Sequence, residues 1–257
     1  MKKSAITALA LAVCGGASGQ EAVKQIDSAQ LAKDLSVRAD ISWQSKNVFR
    51  GKERSDVDGL FQTKVGLEYF GPGLNGISAY ASFFNADGVE RSYAYGFRKS
   101  VGDAVVDAGY ARMTSPSAKF FNAAEGFTQL RVEDEAYLGV ILPKGFLQPA
   151  LYVNYGFALN QVIVEGSLLR VFPEAGPFKL DLAVRGYAGN VSAKDALNDA
   201  TGVRNAYAYA GAGIDLSKSV GQGSVVGVGF KYVGNNDEKP ATRDSQVWNN
   251  VYAKFRF

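Results

Sequence analysis

The sequence predicts an all-β fold, a closed antiparallel up-and-down β-barrel of about twelve strands that crosses a membrane. Three observations predict it. Apolar and polar residues alternate in run after run from Val37 to Phe257, which is the pattern of strands with two different faces. Short connections alternate with long polar ones, as in membrane barrels. The chain begins with a segment typical of exported proteins.

The amino-terminal segment has the features of a cleaved secretory signal peptide. Lys2 and Lys3 precede an apolar run over residues 5–13 and a small-residue stretch over residues 15–19, which predicts a signal peptide over residues 1–19. That apolar run is too short to span a bilayer as a helix. Residues 20–36 are polar, with apolar residues loosely at helical spacing. We expect a periplasmic tail there, with one short helix at most, before a barrel of residues 37–257.

Twelve runs carry the alternation, each of about the ten-residue length that a tilted strand needs to cross a bilayer. They lie near residues 37–43, 60–70, 77–84, 91–99, 104–113, 134–142, 147–158, 161–171, 178–188, 204–216, 224–233 and 247–257. Ten strands remain an alternative, because Glu165 and Gly166 blur the run near 161–171. The long polar connections include residues 47–59, 114–134, 189–204 and 234–246.

The two faces of these runs differ in charge. One face is apolar, as in Phe61, Val65 and Leu67. The opposite face carries the residues that we expect to line a lumen, namely Arg38, Asp40, Lys64, Glu68, Arg98, Asp107, Glu135, Glu165, Lys179, Asp181, Arg185, Asp215, Lys231, Lys254 and Arg256. Alternation alone does not decide which face is inside, because a soluble barrel buries its apolar face.

Aromatic residues near the predicted strand ends favour the membrane, because Trp and Tyr prefer the membrane–water interface. The candidates for such a girdle are Trp43, Tyr69, Tyr155, Phe157, Tyr232 and Phe257. Apolar residues would then face lipid, and the charged residues would face the lumen.

The composition excludes several classes of function. The chain has no histidine, so Ser-His-Asp triads, imidazole bases and histidine metal sites are excluded. Removal of the signal peptide takes the only cysteine and leaves 26 basic residues against 25 acidic ones, a balance that does not indicate a nucleic-acid partner. We expect no enzyme, no cofactor and no metal. An acid-base site at Glu133, Asp134 and Glu135 is the residual alternative, although a charge run at a strand mouth is more often solvated surface.

The last predicted strand continues to the final residue, in the run VYAKFRF of residues 251–257. With Tyr252, Phe255 and Phe257, this run resembles the C-terminal strand of bacterial outer-membrane proteins, which ends in Phe and is recognised by the barrel-assembly machinery. The resemblance implies an outer-membrane location, contact with outer-membrane lipid and that machinery as a partner. It also implies that the last strand closes the barrel against the first.

A second resemblance lies in SWQSKNVFRGKERSD, residues 42–56. This segment resembles the opening motif of the Gcw_chp family of uncharacterised exported bacterial proteins, in which an aromatic-rich strand end is followed by Phe-Arg-Gly. Phe49-Arg50-Gly51 matches the motif, whereas Lys46 and Asn47 stand at its acidic and Tyr positions. The resemblance implies a barrel of no established activity. Gly51 permits a turn, and Arg50 either pairs with acids of the lumen or faces solvent.

The patterns favour a narrow passive, porin-like channel for small polar solutes. Near-equal numbers of bases and acids in the predicted lumen argue against strong ion selectivity. Two alternatives remain open. Ion pairs could instead fill and close the lumen of a structural or interaction barrel that displays loops 114–133 and 189–204 outside the cell, or the chain could be a soluble periplasmic β-barrel binding module. In the first of these loops, Lys119-Phe120-Phe121 is a candidate for a contact patch, a lumen plug or ordinary loop packing.

Overall fold

A computed structural model of the chain describes residues 34–53, 59–71, 74–114, 132–158, 160–193, 206–221, 223–236 and 245–257. The predicted signal peptide, most of the predicted tail, Lys119-Phe120-Phe121 and most of loops 114–133 and 189–204 lie outside these described residues. Within the described ranges, no helix is long and apolar enough to cross a membrane.

The described residues form fourteen β-strands, of which two belong to a small hairpin. The strands are β1 (Leu35–Gln44), β2 (Val48–Phe49), β3 (Lys52–Glu53), β4 (Leu60–Tyr69), β5 (Ile77–Ala86), β6 (Glu90–Val101), β7 (Ala104–Thr114), β8 (Val132–Ile141), β9 (Ala150–Gly156), β10 (Gln161–Phe172), β11 (Asp181–Ala193), β12 (Tyr207–Gly221), β13 (Ser224–Asn235) and β14 (Ser245–Arg256). β1 and β4 to β14 form one closed barrel, and β2 pairs with β3 alone.

The barrel closes between its first and last strands. Each barrel strand pairs antiparallel with the next barrel strand along the chain, so that β1 pairs with β4, and β14 pairs with β1. The amide of Val37 donates to the carbonyl of Phe257 at 3.2 Å, and the amide of Phe257 donates to the carbonyl of Val37 at 2.9 Å. The predicted closed antiparallel barrel of twelve strands is confirmed. The ten-stranded alternative is wrong, because β10 pairs without interruption through Glu165 and Gly166.

Three predicted strands begin three residues too early. The runs from residues 147, 178 and 204 correspond to β9, β11 and β12, which begin at Ala150, Asp181 and Tyr207. At the second of these positions, Pro177–Lys179 form a 3₁₀ turn. Phe178 and Lys179 have φ angles of 56° and 57°, in the left-handed region that a strand does not use. Pro177 also lacks an amide for the ladder. The prediction that Lys179 lines the lumen is therefore wrong, since its side chain is exposed in the turn.

The exposure of the side chains shows which face of the strands points into the barrel. Large apolar side chains are exposed on the outer surface around the barrel, among them Phe61 at 63%, Phe97 at 59% and Phe230 at 59%. The alternate positions, which carry the charges, are buried or half-buried toward the interior. The six aromatic girdle candidates, Trp43, Tyr69, Tyr155, Phe157, Tyr232 and Phe257, are all exposed and lie near strand ends. The arrangement is the reverse of a soluble barrel, which buries its apolar face.

Candidate functional site in the barrel lumen

The connection between β1 and β4 folds into the barrel. β2 and β3 form a hairpin whose turn is Arg50-Gly51. Connections normally lie at the surface, yet Asn47, Val48, Phe49 and Arg50 are exposed by only 1%, 7%, 5% and 4%. We call residues 47–53 the inner hairpin. It lies at the loop end of the lumen, opposite the turn end where β1 begins and β14 ends.

Apolar packing and hydrogen bonds fix the inner hairpin to the barrel wall. Val48 joins a buried cluster on β10 to β14, made of Ile163, Tyr187, Val191, Tyr209, Val233 and Trp248. Asn235 donates its side-chain amide to the carbonyl of Gly51 at 2.8 Å. Lys46, just before the inner hairpin, pairs with Glu53 at 3.0 Å and donates to Gln246 at 2.9 Å. The hairpin therefore fills part of the lumen at its loop end.

Arg50 makes the strongest polar contacts of the inner hairpin. Its guanidinium donates to both carboxylate oxygens of Glu135, Nη1 to Oε1 at 2.6 Å and Nη2 to Oε2 at 2.8 Å. Nε and Nη2 also lie 3.4 Å from Oε2 of Glu165. Burial opposes the charge, but the carboxylates of Glu135 and Glu165 prevail and raise the pKa of Arg50 above its usual value. The sequence left open whether Arg50 pairs with acids of the lumen or faces solvent. In the structure it pairs with the lumen acids Glu135 and Glu165.

The carboxylate of Glu165 has further partners in the wall. Asn154 donates its side-chain amide to Oε2 of Glu165 at 3.2 Å, and the hydroxyl of Tyr209 donates to Oε1. A buried ion pair is stable only when hydrogen bonds also satisfy the remaining polar atoms. The arginine, the two glutamates and these donors therefore form one clamp between the hairpin and strands β8, β9, β10 and β12.

Gly51 gives a direct test of how the inner hairpin is held. It has a φ angle of +80°, and a Cβ there would lie 2.6 Å from Cβ of Tyr209. We expect Gly51→Ala to displace the hairpin, so that trypsin cleaves the folded barrel after Arg50, as identified by mass spectrometry of the fragments. Gly88→Ala is the matched control, because Gly88 has a φ angle of +68° but no atom within 4 Å of the added Cβ. Equal protection of Arg50 in the two variants would contradict the docking contact.

A second network fills the lumen beside β4 to β9. Arg98 pairs through Nε with Oδ2 of Asp107 at 3.1 Å and through Nη1 with Oε2 of Glu68 at 3.4 Å. Asp107 also accepts bonds from the hydroxyls of Tyr80 at 2.7 Å and Tyr152 at 3.1 Å. The hydroxyl of Tyr80 further contacts that of Tyr137. Asp107 and Tyr152 are exposed by only 0% and 1%, so the network is shielded from water at these two side chains, whereas Glu68, Tyr80 and Arg98 line a small cavity.

These lumen tyrosines are not among the residues predicted from the sequence to line the lumen. Their signal was present, since Tyr80 alternates in phase with Ser78 and Ser82, and Tyr137 with Glu135. The structure explains why so large a ring fits inside: Tyr137 lies over Gly109 of the neighbouring strand, where a Cβ would meet its hydroxyl at 2.5 Å. Buried Glu90, which faces inward at the start of β6, was also missed.

Fourteen of the fifteen predicted lumen charges face inward, with Lys179 as the exception. Arg38, Asp40, Lys64, Asp181, Lys254 and Arg256 are half-buried. Glu68, Arg98, Asp107, Glu135, Glu165, Arg185, Asp215 and Lys231 are buried. Acids and bases are thus unevenly distributed around the wall.

Solvent reaches the lumen mainly on one side. The inward side chains of β1 from Arg38 through Asp40 and Ser42 to Gln44 are half-buried at every position. Their neighbours Lys64 on β4 and Lys254 on β14 are half-buried as well. On the opposite wall, Asn154 is exposed by 0% and Tyr152 by 1%. We call β1, together with Lys64 and Lys254 beside it, the open side of the lumen.

No metal centre is evident in the described part of the chain, where no group of three or more cysteine, aspartate or glutamate side chains is placed to hold an ion. The acid run predicted as a residual catalytic alternative is also divided. Asp134 faces outward and pairs with Arg112 at 3.0 Å, whereas Glu133 and Glu135 share the inward face of β8 and Glu135 binds Arg50. The run therefore places two of its three carboxylates on the lumen side, and one of these two is bound by Arg50.

Fold and lumen together define a closed twelve-stranded β-barrel with an apolar exterior and a charged, partly filled interior. No family model matches the chain, so the resemblance to the Gcw_chp family is not supported. No curated protein matches it either.

Several solved barrels are similar to the chain. The KdgM porin has a TM-score of 0.49 at 10% identity over 86% of this chain and 99% of its own. The NanC porin has a TM-score of 0.48 at 10% identity over 86% of this chain and 98% of its own. The translocator domain of the autotransporter NalP from Neisseria meningitidis has a TM-score of 0.46 at 15% identity, over 87% of this chain and 88% of its own.

Proposed function

We propose that the protein is a porin-like outer-membrane channel that admits small polar solutes along the open side of its lumen. The observation that carries the proposal is the water-accessible row of inward polar side chains on β1, from Arg38 to Gln44, inside a barrel whose exterior is apolar. An exposed apolar surface of this extent is unsuited to water. A closed barrel also satisfies its backbone hydrogen bonds, as a bilayer requires.

The orientation of the barrel follows from its connections. Membrane barrels place short turns toward the periplasm and long loops outside the cell, so the inner hairpin narrows the external mouth. Export by a cleaved signal peptide over residues 1–19 belongs to the same proposal. Assembly through the last strand does as well, with Phe255 and Phe257 on its outer face and Tyr252 turned inward and buried.

The clamp at Arg50 favours a second candidate, a closed barrel that serves as a structural or interaction protein. In that case the inner hairpin is a permanent plug, and the external loops carry the function. The two candidates differ in whether water and ions pass along β1 while the hairpin is docked.

Planar-bilayer conductance of the refolded mature chain tests the proposal. We expect steady single-channel steps that are small, because the inner hairpin and the lumen tyrosines fill much of the interior. Heat-modifiable gel migration controls for folding. A folded barrel without conductance would favour the closed candidate, and a chain that remains soluble without detergent would favour a soluble periplasmic binding module.

A further inference from the structure

Two connections at the turn end of the barrel carry exposed aromatic side chains. Phe146, in the connection between β8 and β9, is exposed by 71%, and Phe178, in the connection between β10 and β11, is exposed by 91%. Phe172, the last residue of β10, is exposed on the outer face as well. A cluster of exposed apolar side chains marks contact with a membrane or with another molecule.

Phe178 has a backbone conformation that phenylalanine rarely adopts. Its φ angle is 56° and that of Lys179 is 57°, so two consecutive residues with side chains lie in the left-handed region. The exposed ring of Phe178 gains little packing within the chain in return. Strained backbone of this kind is found mainly where a segment serves a function. The ring is therefore placed for contact with a partner outside the chain.

The connection that carries Phe178 folds back onto the outer face of the barrel. Gly176 lies so close to Leu216 of β12 that a Cβ there would meet Cδ2 of Leu216 at 2.8 Å. Leu216 is half-buried, whereas Ile214 and Val220 in the same outward row of β12 are exposed. The connection therefore lies at the edge of the apolar surface, where a bilayer meets water, and does not project away from the barrel.

Arg170 projects from the same outer face and is held by two of the three rings. Its Cζ lies 4.1 Å from the ring centre of Phe146 and 5.4 Å from that of Phe172. Nη1 also donates to the carbonyl of Phe146 at 2.9 Å. Among the described residues, no carboxylate pairs with this guanidinium. A guanidinium that is already fixed over aromatic rings loses little further freedom when it binds an anion.

The surroundings of Arg170 are basic. Lys179 is exposed beside Phe178, and Lys218 is exposed two residues beyond Leu216 on the outward row of β12. The connections on either side of β10, residues 142–149 and 173–180, contain one acid, the exposed Glu174. Asp181, which follows them, faces the lumen and accepts a hydrogen bond from the amide of Glu174 at 2.9 Å. Positive charge therefore exceeds negative charge on this part of the outer face.

We propose that Arg170, the rings of Phe146, Phe172 and Phe178, and the ammonium groups of Lys179 and Lys218 bind the phosphate headgroup of an anionic phospholipid. We call this group the rim site. Arginine binds phosphate through paired hydrogen bonds, and nearby lysines attract anionic lipids. Aromatic rings prefer the membrane interface.

The outer face next to the rim site suits the acyl chains of the same lipid. Val184 and Ile214 lie in the same lateral row as Arg170, and both are exposed. A phospholipid therefore matches both the basic rim and the apolar wall beside it, whereas a water-soluble partner would match only the rim. The inference takes from the proposed function the membrane location and the periplasmic side of the short turns, but not conduction.

Native mass spectrometry of the refolded mature chain in detergent tests the rim site. With phosphatidylglycerol and phosphatidylcholine of the same acyl chains added in equal amounts, we expect the wild type to retain phosphatidylglycerol preferentially. Arg170→Met should lower that retention severalfold. Lys99→Met is the matched control, because Lys99 is an exposed base on the outer face near the turn end of β6, and it should keep the preference. Equal losses in the two variants would overturn the site.

Phe178→Gly separates the rim site from folding. Glycine adopts a left-handed φ angle without strain, and the ring that is lost is exposed. The melting temperature in detergent should therefore not fall, whereas retention of phosphatidylglycerol should weaken severalfold. The same spectra report the oligomeric state. A dimer that shows no lipid preference and is lost in Phe178→Gly would assign the surface to a second copy of the chain and overturn the lipid site.

Lipid retention and conductance test the rim site and the channel separately. A barrel that retains phosphatidylglycerol through Arg170 but does not conduct would keep the rim site and refute the channel. A barrel that conducts but retains the two lipids equally would refute the rim site and keep the channel.

Discussion

Replacing Arg50 with methionine is expected to release the inner hairpin and raise the conductance of the barrel. Methionine approximates the length of the side chain but cannot bind Glu135 or Glu165, which then stay buried without their counter-charge. Breaking a buried ion pair in this way costs about 3 to 5 kcal/mol. If that energy holds the hairpin, its loss changes the ratio of docked to released hairpin by roughly a hundredfold or more. Single-channel conductance and trypsin cleavage after Lys52 measure the two consequences.

Arg112→Met is the matched control for Arg50→Met. Arg112 also pairs with a carboxylate, that of Asp134, but on the outer face with 57% of its side chain exposed. Exposed pairs contribute about 0 to 1 kcal/mol, so conductance should stay at the wild-type value. The triple variant Arg50→Met/Glu135→Gln/Glu165→Gln should recover stability while the hairpin stays free. An Arg50→Met barrel with wild-type conductance and an intact hairpin would show that the apolar packing of Val48 is sufficient to hold it.

The strands could be predicted from the sequence because their two faces have different chemical environments. The run at 60–70 coincides with β4 (Leu60–Tyr69), where Gln62, Lys64 and Glu68 alternate with exposed apolar residues. Successive residues of such a strand point to opposite faces, and the residue type changes between apolar and polar at each step. Alternation fails at residues 178–180, because Phe178 and Lys179 keep the pattern through a left-handed turn.

The site could be predicted only in part, because its contacts join distant parts of the chain. Arg50 lies 85 residues from Glu135 and 115 residues from Glu165, and no local pattern indicates that these side chains meet. A count of lumen charges also misses how they are distributed. The alternation places Arg38 and Arg256 on the lumen face, but only the register of barrel closure brings them together.

The network around Arg98 should dominate the stability of the barrel. We expect Arg98→Met to lower the free energy of unfolding by about 3 to 5 kcal/mol, because Glu68 and Asp107 are then left buried without their counter-charge. Urea unfolding of the refolded barrel in lipid vesicles, followed by tryptophan fluorescence, measures the change.

Two further variants test whether burial is the reason for the large loss of stability expected in Arg98→Met. The ion pair Lys144–Asp103, at 3.2 Å, joins two connections at the turn end with 51% and 80% of the side chains exposed, so Lys144→Met should change stability by less than about 1 kcal/mol. Arg98→Met/Glu68→Gln/Asp107→Asn should recover much of the loss, since the neutral amides can still accept from Ser78, Tyr80 and Tyr152. If Lys144→Met and Arg98→Met destabilise equally, then water reaches the Arg98 network and the lumen beside β6 to β9 is open. The solute path would then not be confined to β1.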